Sequence, residues 1–151
     1  DLNQERLDFC QKEIGVAATI NGATEDAQER LSELTNGEFA TVVIDATGHA
    51  GSMMNAVEFC AHSARLVYVG LSKQPITYDH PNIHKRELTI MCSRNATRED
   101  FKHVTDCLAD GRVQSTCMIT HTCDFDDLIE QFPSWTKPET RVIKAMVEFN
   151  D

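Results

Sequence analysis

The chain has 151 residues, 41% of them hydrophobic, with 24 acidic against 14 basic residues and a formal net charge of -10. This is the size of one domain with enough apolar material for a core, and an acidic surplus unrelieved by any Lys/Arg block disfavours nucleic acid. No apolar run approaches the roughly 20 residues that span a bilayer and no charged-then-apolar leader opens the chain, so the sequence reads as soluble and cytoplasmic.

From Asn3, a good N-cap, Leu7, Cys10 and Ile14 recur at helical spacing and Gly15 follows as a stop, which predicts a first helix. Val16 to Ile20 is short, β-branched and bounded by Asn21-Gly22, and reads as a strand. A second helix is expected from Thr24, with Ala27, Leu31 and Leu34 on one face and Asn36-Gly37 ending it. The next stretch, Thr41 to Gly48, organises the rest. Val42, Val43 and Ile44 are three β-branched residues in a row, as in a parallel strand covered on both faces. The run then breaks into Asp45, Thr47 and Gly48, so the strand's carboxyl end opens where ligands bind in open α/β sheets.

Met53, Val57 and Cys60 predict a helix with a buried stripe, followed by a strand from Arg65 to Val69 ending in Gly70. Pro75 to Tyr78 reads as a short extended piece and Pro81 to Glu87 as irregular or a single turn, ahead of a strand from Leu88 to Cys92. Thr97-Arg98-Glu99-Asp100 resembles a capping box for a helix whose core face is Phe101, Val104 and Leu108, stopped by Gly111. Asp124 is expected to cap a helix bearing Phe125, Leu128, Ile129 and Phe132, ended by Pro133, and Val142 to Phe149 reads as a closing strand. Strands separated by helices of this length predict an α/β sheet with right-handed crossovers.

The six cysteines form no C-x-x-C and fall in apolar patterns, so they read as reduced thiols packing as small hydrophobes. His80 and His84, or His121 with Cys123, have spacings that could suit a metal, but Pro81 interrupts the first pair and no third ligand is evident, so no metal site is expected. No nucleophile elbow or His/carboxylate pairing supports nucleophilic catalysis, and Met53-Met54 reads as core packing.

Several stretches carry a family likeness in their order: Asp1-Leu2-Asn3-Gln4-Glu5-Arg6-Leu7, Val43-Ile44-Asp45-Ala46-Thr47-Gly48, Val67-Tyr68-Val69-Gly70, Arg86-Glu87-Leu88-Thr89-Ile90, Gly111-Arg112-Val113 and Val142-Ile143-Lys144-Ala145. Together they resemble the later part of the zinc-type medium-chain alcohol and polyol dehydrogenases, the branch acting on polyols, sugar acids and threonine, over essentially all 151 residues. The resemblance implies a Rossmann-like parallel sheet with flanking helices, lacking its first two strands and followed by carboxyl-terminal helices and a closing strand, with residues 1–151 forming a partial NAD-binding domain.

It also implies roles. Asp1 would take the adenosine ribose hydroxyls, for which a carboxylate is apt because it accepts two hydrogen bonds and repels a 2′-phosphate, favouring NAD over NADP. Arg6 would stand beside the same ribose. Ala46, Thr47 and Gly48 would lie along the adenine side, and Val69, Gly70 and Leu71 would meet the nicotinamide, with glycine letting backbone approach the ring. Arg94 and Lys144 match positions close to the cofactor, where a cation could offset pyrophosphate charge. Each charged residue also has a plain reading as a solvated surface group.

The departures are equally specific. There is no G-x-G-x-x-G, and Gly48-His49-Ala50-Gly51 follows the wrong strand to supply one. The zinc-binding domain expected of the parent enzyme, with its ligands and substrate pocket, has no counterpart here, so the chain reads as a fragment. In a sheet ordered 3-2-1-4-5-6 the missing strands are the middle two. The strand at Val16 to Ile20 would therefore lie about three spacings, roughly 14 Å, from that at Thr41 to Asp45, unless the two paired directly. A homodimer through edge strands near Ile76 and Leu88 to Cys92 is also expected. A stand-alone nucleotide-binding or dimerisation module, and a methyltransferase holding a ribose on an early acid, are the competing readings.

Overall fold

A computed structural model of the chain describes Asp1 to Phe149, so the last two residues of the expected 1–151 domain lie outside the described residues. Among the described residues eleven α-helices and β-strands follow in order: α1 (Gln4–Phe9), α2 (Ala27–Leu34), β1 (Ala40–Asp45), α3 (Ala50–Asn55), β2 (Cys60–Tyr68), α4 (His80–Lys85), β3 (Thr89–Cys92), α5 (Arg98–Ala109), β4 (Ile119–Asp124), α6 (Leu128–Trp135) and β5 (Lys144–Glu148). Their contacts divide the chain into two compact units. One comprises Asp1–Gln11 with Val16–Ala96, the other Lys12–Gly15 with Thr97–Asp151.

In the first unit, β1, β2 and β3 form a parallel sheet in that order. Parallel neighbours joined through helices are the α/β architecture expected, and the adjacency of three successive strands matches one half of an open nucleotide-binding sheet. Asn3 caps α1, its side chain accepting from the backbone N–H of Glu5 and Arg6. The α2 helix starts later than expected, because Asp26 rather than Thr24 supplies the cap, accepting from Gln28 and Glu29.

The core is built on one face of the sheet by Met53, Ala56, Val57, Cys60, Ala61, Ala64, Leu66 and Tyr68, with Val43, Ile83 and Ile90 packed against it. The small residues Ala61 and Ala64 fall where β2 bulges: the ladder advances from Ala40↔Cys60 to Val42↔Arg65, and Ser63 takes a left-handed φ of 58°. Thus β2 begins at Cys60, not Arg65, and the helix expected to include Cys60 ends in a 3₁₀ turn at Ala56–Phe59.

Several expectations are corrected. Val16 to Ile20 forms no strand; no ladder partner reaches it among the described residues, and it does not pair with β1. Extended backbone without a neighbour has no cross-strand hydrogen bonds to hold it as sheet. The three β-branched residues of β1 are not covered on both faces: Val43 meets the core, whereas Ile44 is 64% and Val42 45% exposed. These two point to the face opposite Val43, as strand alternation requires. The segment around Pro81 is a helix, α4, tolerated because proline in a first turn forfeits no intrahelical bond.

The second unit pairs β4 with β5 in parallel. The sequence carries little sign of β4, since Thr-His-Thr shows no apolar alternation although His121 and Cys123 are its half-buried positions. Thr97 and Asp100 form the expected capping box of α5. Pro133 lies within α6 rather than ending it; beyond it the hydroxyls of Ser134 and Thr136 donate back to the carbonyls of Gln131 and Pro133. The faces expected to be core remain open, with Phe101 68% and Ile129 86% exposed, and no described residue of this unit is fully buried. All six cysteines are free thiols.

Candidate functional site

The carboxyl ends of β1 and β2 lie side by side, Asp45 opposite Tyr68, and β3 ends level with them at Cys92. The chain continuing from β2 folds onto β1, because the N–H groups of Val69 and Gly70 both donate to the Asp45 carbonyl, at 2.8 and 3.1 Å. Two of the expected ligand loops, Ala46 to Gly48 and Val69 to Leu71, therefore meet along one edge.

Their approach is so close that only glycine fits. A Cβ on Gly70 would stand 2.3 Å from the Gly48 nitrogen and 2.9 Å from its Cα. Gly48 itself has φ +66°, and a Cβ there would come within 3.0 Å of the Leu71 carbonyl oxygen. Backbone packed on backbone leaves a ledge of main-chain polar groups beside the exposed Leu71 and Val69 side chains, 86% and 51% accessible.

The ledge is tied from below by a buried carboxylate. Asp45 Oδ1 accepts from the Thr47 N–H at 2.9 Å and the Thr47 hydroxyl at 2.8 Å, while Oδ2 accepts from the Ser52 hydroxyl at 2.8 Å. His49 N–H donates to the Thr47 hydroxyl at 3.1 Å, and the Ser52 N–H donates to His49 Nδ1 at 3.2 Å, capping α3. Of these, Ser52 and His49 were not singled out by the sequence reading. The available signal was Asp-Ala-Thr, whose spacing suits a side chain bonding to backbone two residues on.

The remaining expected residues are arranged differently. Asp1 and Arg6 are exposed together at the start of α1. Asp1 Oδ1 accepts from Leu2 and Asn3 N–H at 2.7 and 2.9 Å, and its backbone meets Ile20 and Gly22. Arg94 is exposed two residues beyond β3, on the same carboxyl side of the sheet as Gly48 and Gly70. Lys144 opens β5 in the second unit, opposite Ile119. His80 and His84 lie one turn apart on α4, ring centroids 5.7 Å apart. No group of three or more His, Cys, Asp or Glu side chains placed to hold a metal ion occurs among the described residues. No helix is long and apolar enough to cross a membrane.

A parallel three-stranded sheet whose strands end at one carboxyl edge, with a glycine-lined ledge there, is the arrangement of one half of a Rossmann-like fold. Comparison with known proteins agrees. The zinc-binding dehydrogenase profile matches residues 1–110. L-galactonate-5-dehydrogenase of Escherichia coli K12 is 35% identical over 130 residues, covering 86% of this chain and 38% of that protein. The starvation-sensing protein RspB of the same strain is 30% identical over 152 aligned positions, covering 100% of this chain and 43% of that protein. The crystal structure of an alcohol dehydrogenase, RspB of E. coli CFT073, complexed with NADH, superimposes with a TM-score of 0.85 at 30% identity, over 96% of this chain and 42% of that one. The chain belongs to the zinc-binding dehydrogenase family, and spans about two-fifths of the length of these relatives.

Proposed function

We propose that this chain is the cofactor-binding part of a zinc-dependent, NAD-linked oxidoreductase that moves hydride between nicotinamide and an alcohol, polyol or sugar acid. The observation that carries this reading is the contact of Gly48 with Gly70 at the joint carboxyl edge of β1 and β2. Family membership and the NADH bound to a 30% identical relative support it.

In this reading Ala46, Thr47 and Gly48 face the adenine side and Val69, Gly70 and Leu71 the nicotinamide. Asp1 and Arg6 serve the ribose, and Arg94 and Lys144 offset phosphate charge. NAD supplies the hydride acceptor; these residues only bind and orient it. Zinc would be held by residues other than those of this chain and would supply Lewis-acid chemistry at the substrate oxygen. The acting protein is a homodimer joined through edge strands; β3, with Met91 47% exposed and β2 its one ladder partner among the described residues, is the candidate edge.

Titration with NAD tests the reading. The isolated chain has no glycine-rich phosphate loop, so calorimetry should give no submillimolar binding. A longer polypeptide with that loop preceding Asp1 should bind NAD and oxidise a polyol in a zinc-dependent way. Submillimolar binding by the 151 residues alone would instead favour a self-sufficient nucleotide-binding module.

A further inference from the structure

Asp45 is buried, 6% exposed, yet stands at the edge where a ligand is read to bind. A carboxylate removed from water needs its lone pairs satisfied. Here they are satisfied by the ledge itself: Thr47 through its N–H and hydroxyl, Ser52 through its hydroxyl.

The bonding directions fix what the ledge can offer. Thr47 gives its hydroxyl proton to Asp45 and accepts the His49 N–H, so its one side-chain donor is committed inward and is not available to a ligand. Ser52 likewise gives its hydroxyl proton to Asp45, while its N–H fixes His49 Nδ1 as an acceptor and leaves the ring proton on Nε2. One carboxylate therefore sets the height of Ala46 to Gly48 and the orientation of His49.

We propose that Asp45 is a positioning residue for the cofactor: by clamping Thr47 and Ser52 it holds the Ala46 to Gly48 ledge against Gly70 and Leu71, at the spacing that admits a nicotinamide dinucleotide. The inference rests on the reading of the chain as part of an NAD-linked dehydrogenase. It assigns the Thr47 hydroxyl proton to the clamp in place of donation to the cofactor.

Steady-state kinetics of the longer dehydrogenase carrying these residues, with NAD varied, tests it. Asp45→Ala should raise the KM for NAD about tenfold or more, with kcat held within about threefold because the reacting atoms are untouched. Asp45→Asn, which keeps an acceptor for Thr47, should recover most of the loss. Thr47→Val should resemble Asp45→Ala, and the two losses should not add. If Asp45→Ala fails to fold, Thr47→Val carries the test. A wild-type enzyme indifferent to NAD would overturn the functional reading and this inference with it. One that saturates with NAD while Thr47→Val and any folded Asp45→Ala keep its KM would overturn the inference alone.

Discussion

At Gly70 a single methyl group has nowhere to go, since the atoms it would strike are the backbone nitrogen and Cα of Gly48, neither able to rotate aside. Gly70→Ala is therefore expected to cost about 1–3 kcal/mol, typical of an overpacked site, read as a lower urea midpoint at unchanged m-value. Tyr68 makes a different kind of contact. Its hydroxyl donates to the Met53 carbonyl at 2.7 Å inside the core, and its ring stacks on Tyr78. Burial first, and then the neighbouring Tyr78, push its phenol well above the ordinary tyrosine range. The folded state thus holds a proton that the unfolded chain releases near pH 10. The stability this confers is complete below that pH and declines as pH rises through the folded value. Tyr68→Phe should lose about 1 kcal/mol at neutral pH, and its stability should fall less steeply than wild type above pH 10 in alkaline urea titrations.

Among the elements, α5 has the best-defined start. Thr97 N–H and hydroxyl both donate to Asp100, whose own N–H donates back to the Thr97 hydroxyl. These bonds hold the Asp100 carboxyl below its usual range, the Thr97 backbone contributing most. A depressed folded value means the capping contribution is present above the unfolded aspartate range, near pH 3.9, and disappears only as pH falls through the folded value. Thr97→Ala is expected to cost about 1 kcal/mol, with faster amide exchange at residues 98–101. This motif could be read from four letters, because a capping box is local. The end of α6 could not: Pro133 announces a break, yet the helix runs on to Trp135, where the hydroxyls of Ser134 and Thr136 donate to the carbonyls of Gln131 and Pro133 in its last turn.

For the molecule as a whole, the acidic surplus and the open apolar faces pull in opposite directions. Val42 and Ile44 are exposed on β1, whose one ladder partner among the described residues is β2. An exposed edge strand with apolar side chains recruits another strand. The isolated chain is expected to self-associate in light scattering, increasingly so at high salt as repulsion is screened, and Ile44→Lys to shift it toward monomer.

The sequence by itself determined what depends on near neighbours. The strand cores at Thr41 to Asp45 and Leu88 to Cys92, the caps at Asn3 and Thr97, the family, and the glycines of the ledge were all legible, because strand propensity, capping and turn chemistry act over a few residues. The tertiary structure alone decided which residues lack a partner. Among the described residues Val16 to Ile20 has strand composition without a ladder partner, and Ile44 has core composition yet is 64% exposed. It also decided that Asp45 faces inward to Thr47 and Ser52, since one step of strand alternation, fixed by which face packs, separates a buried clamp from a solvated acid.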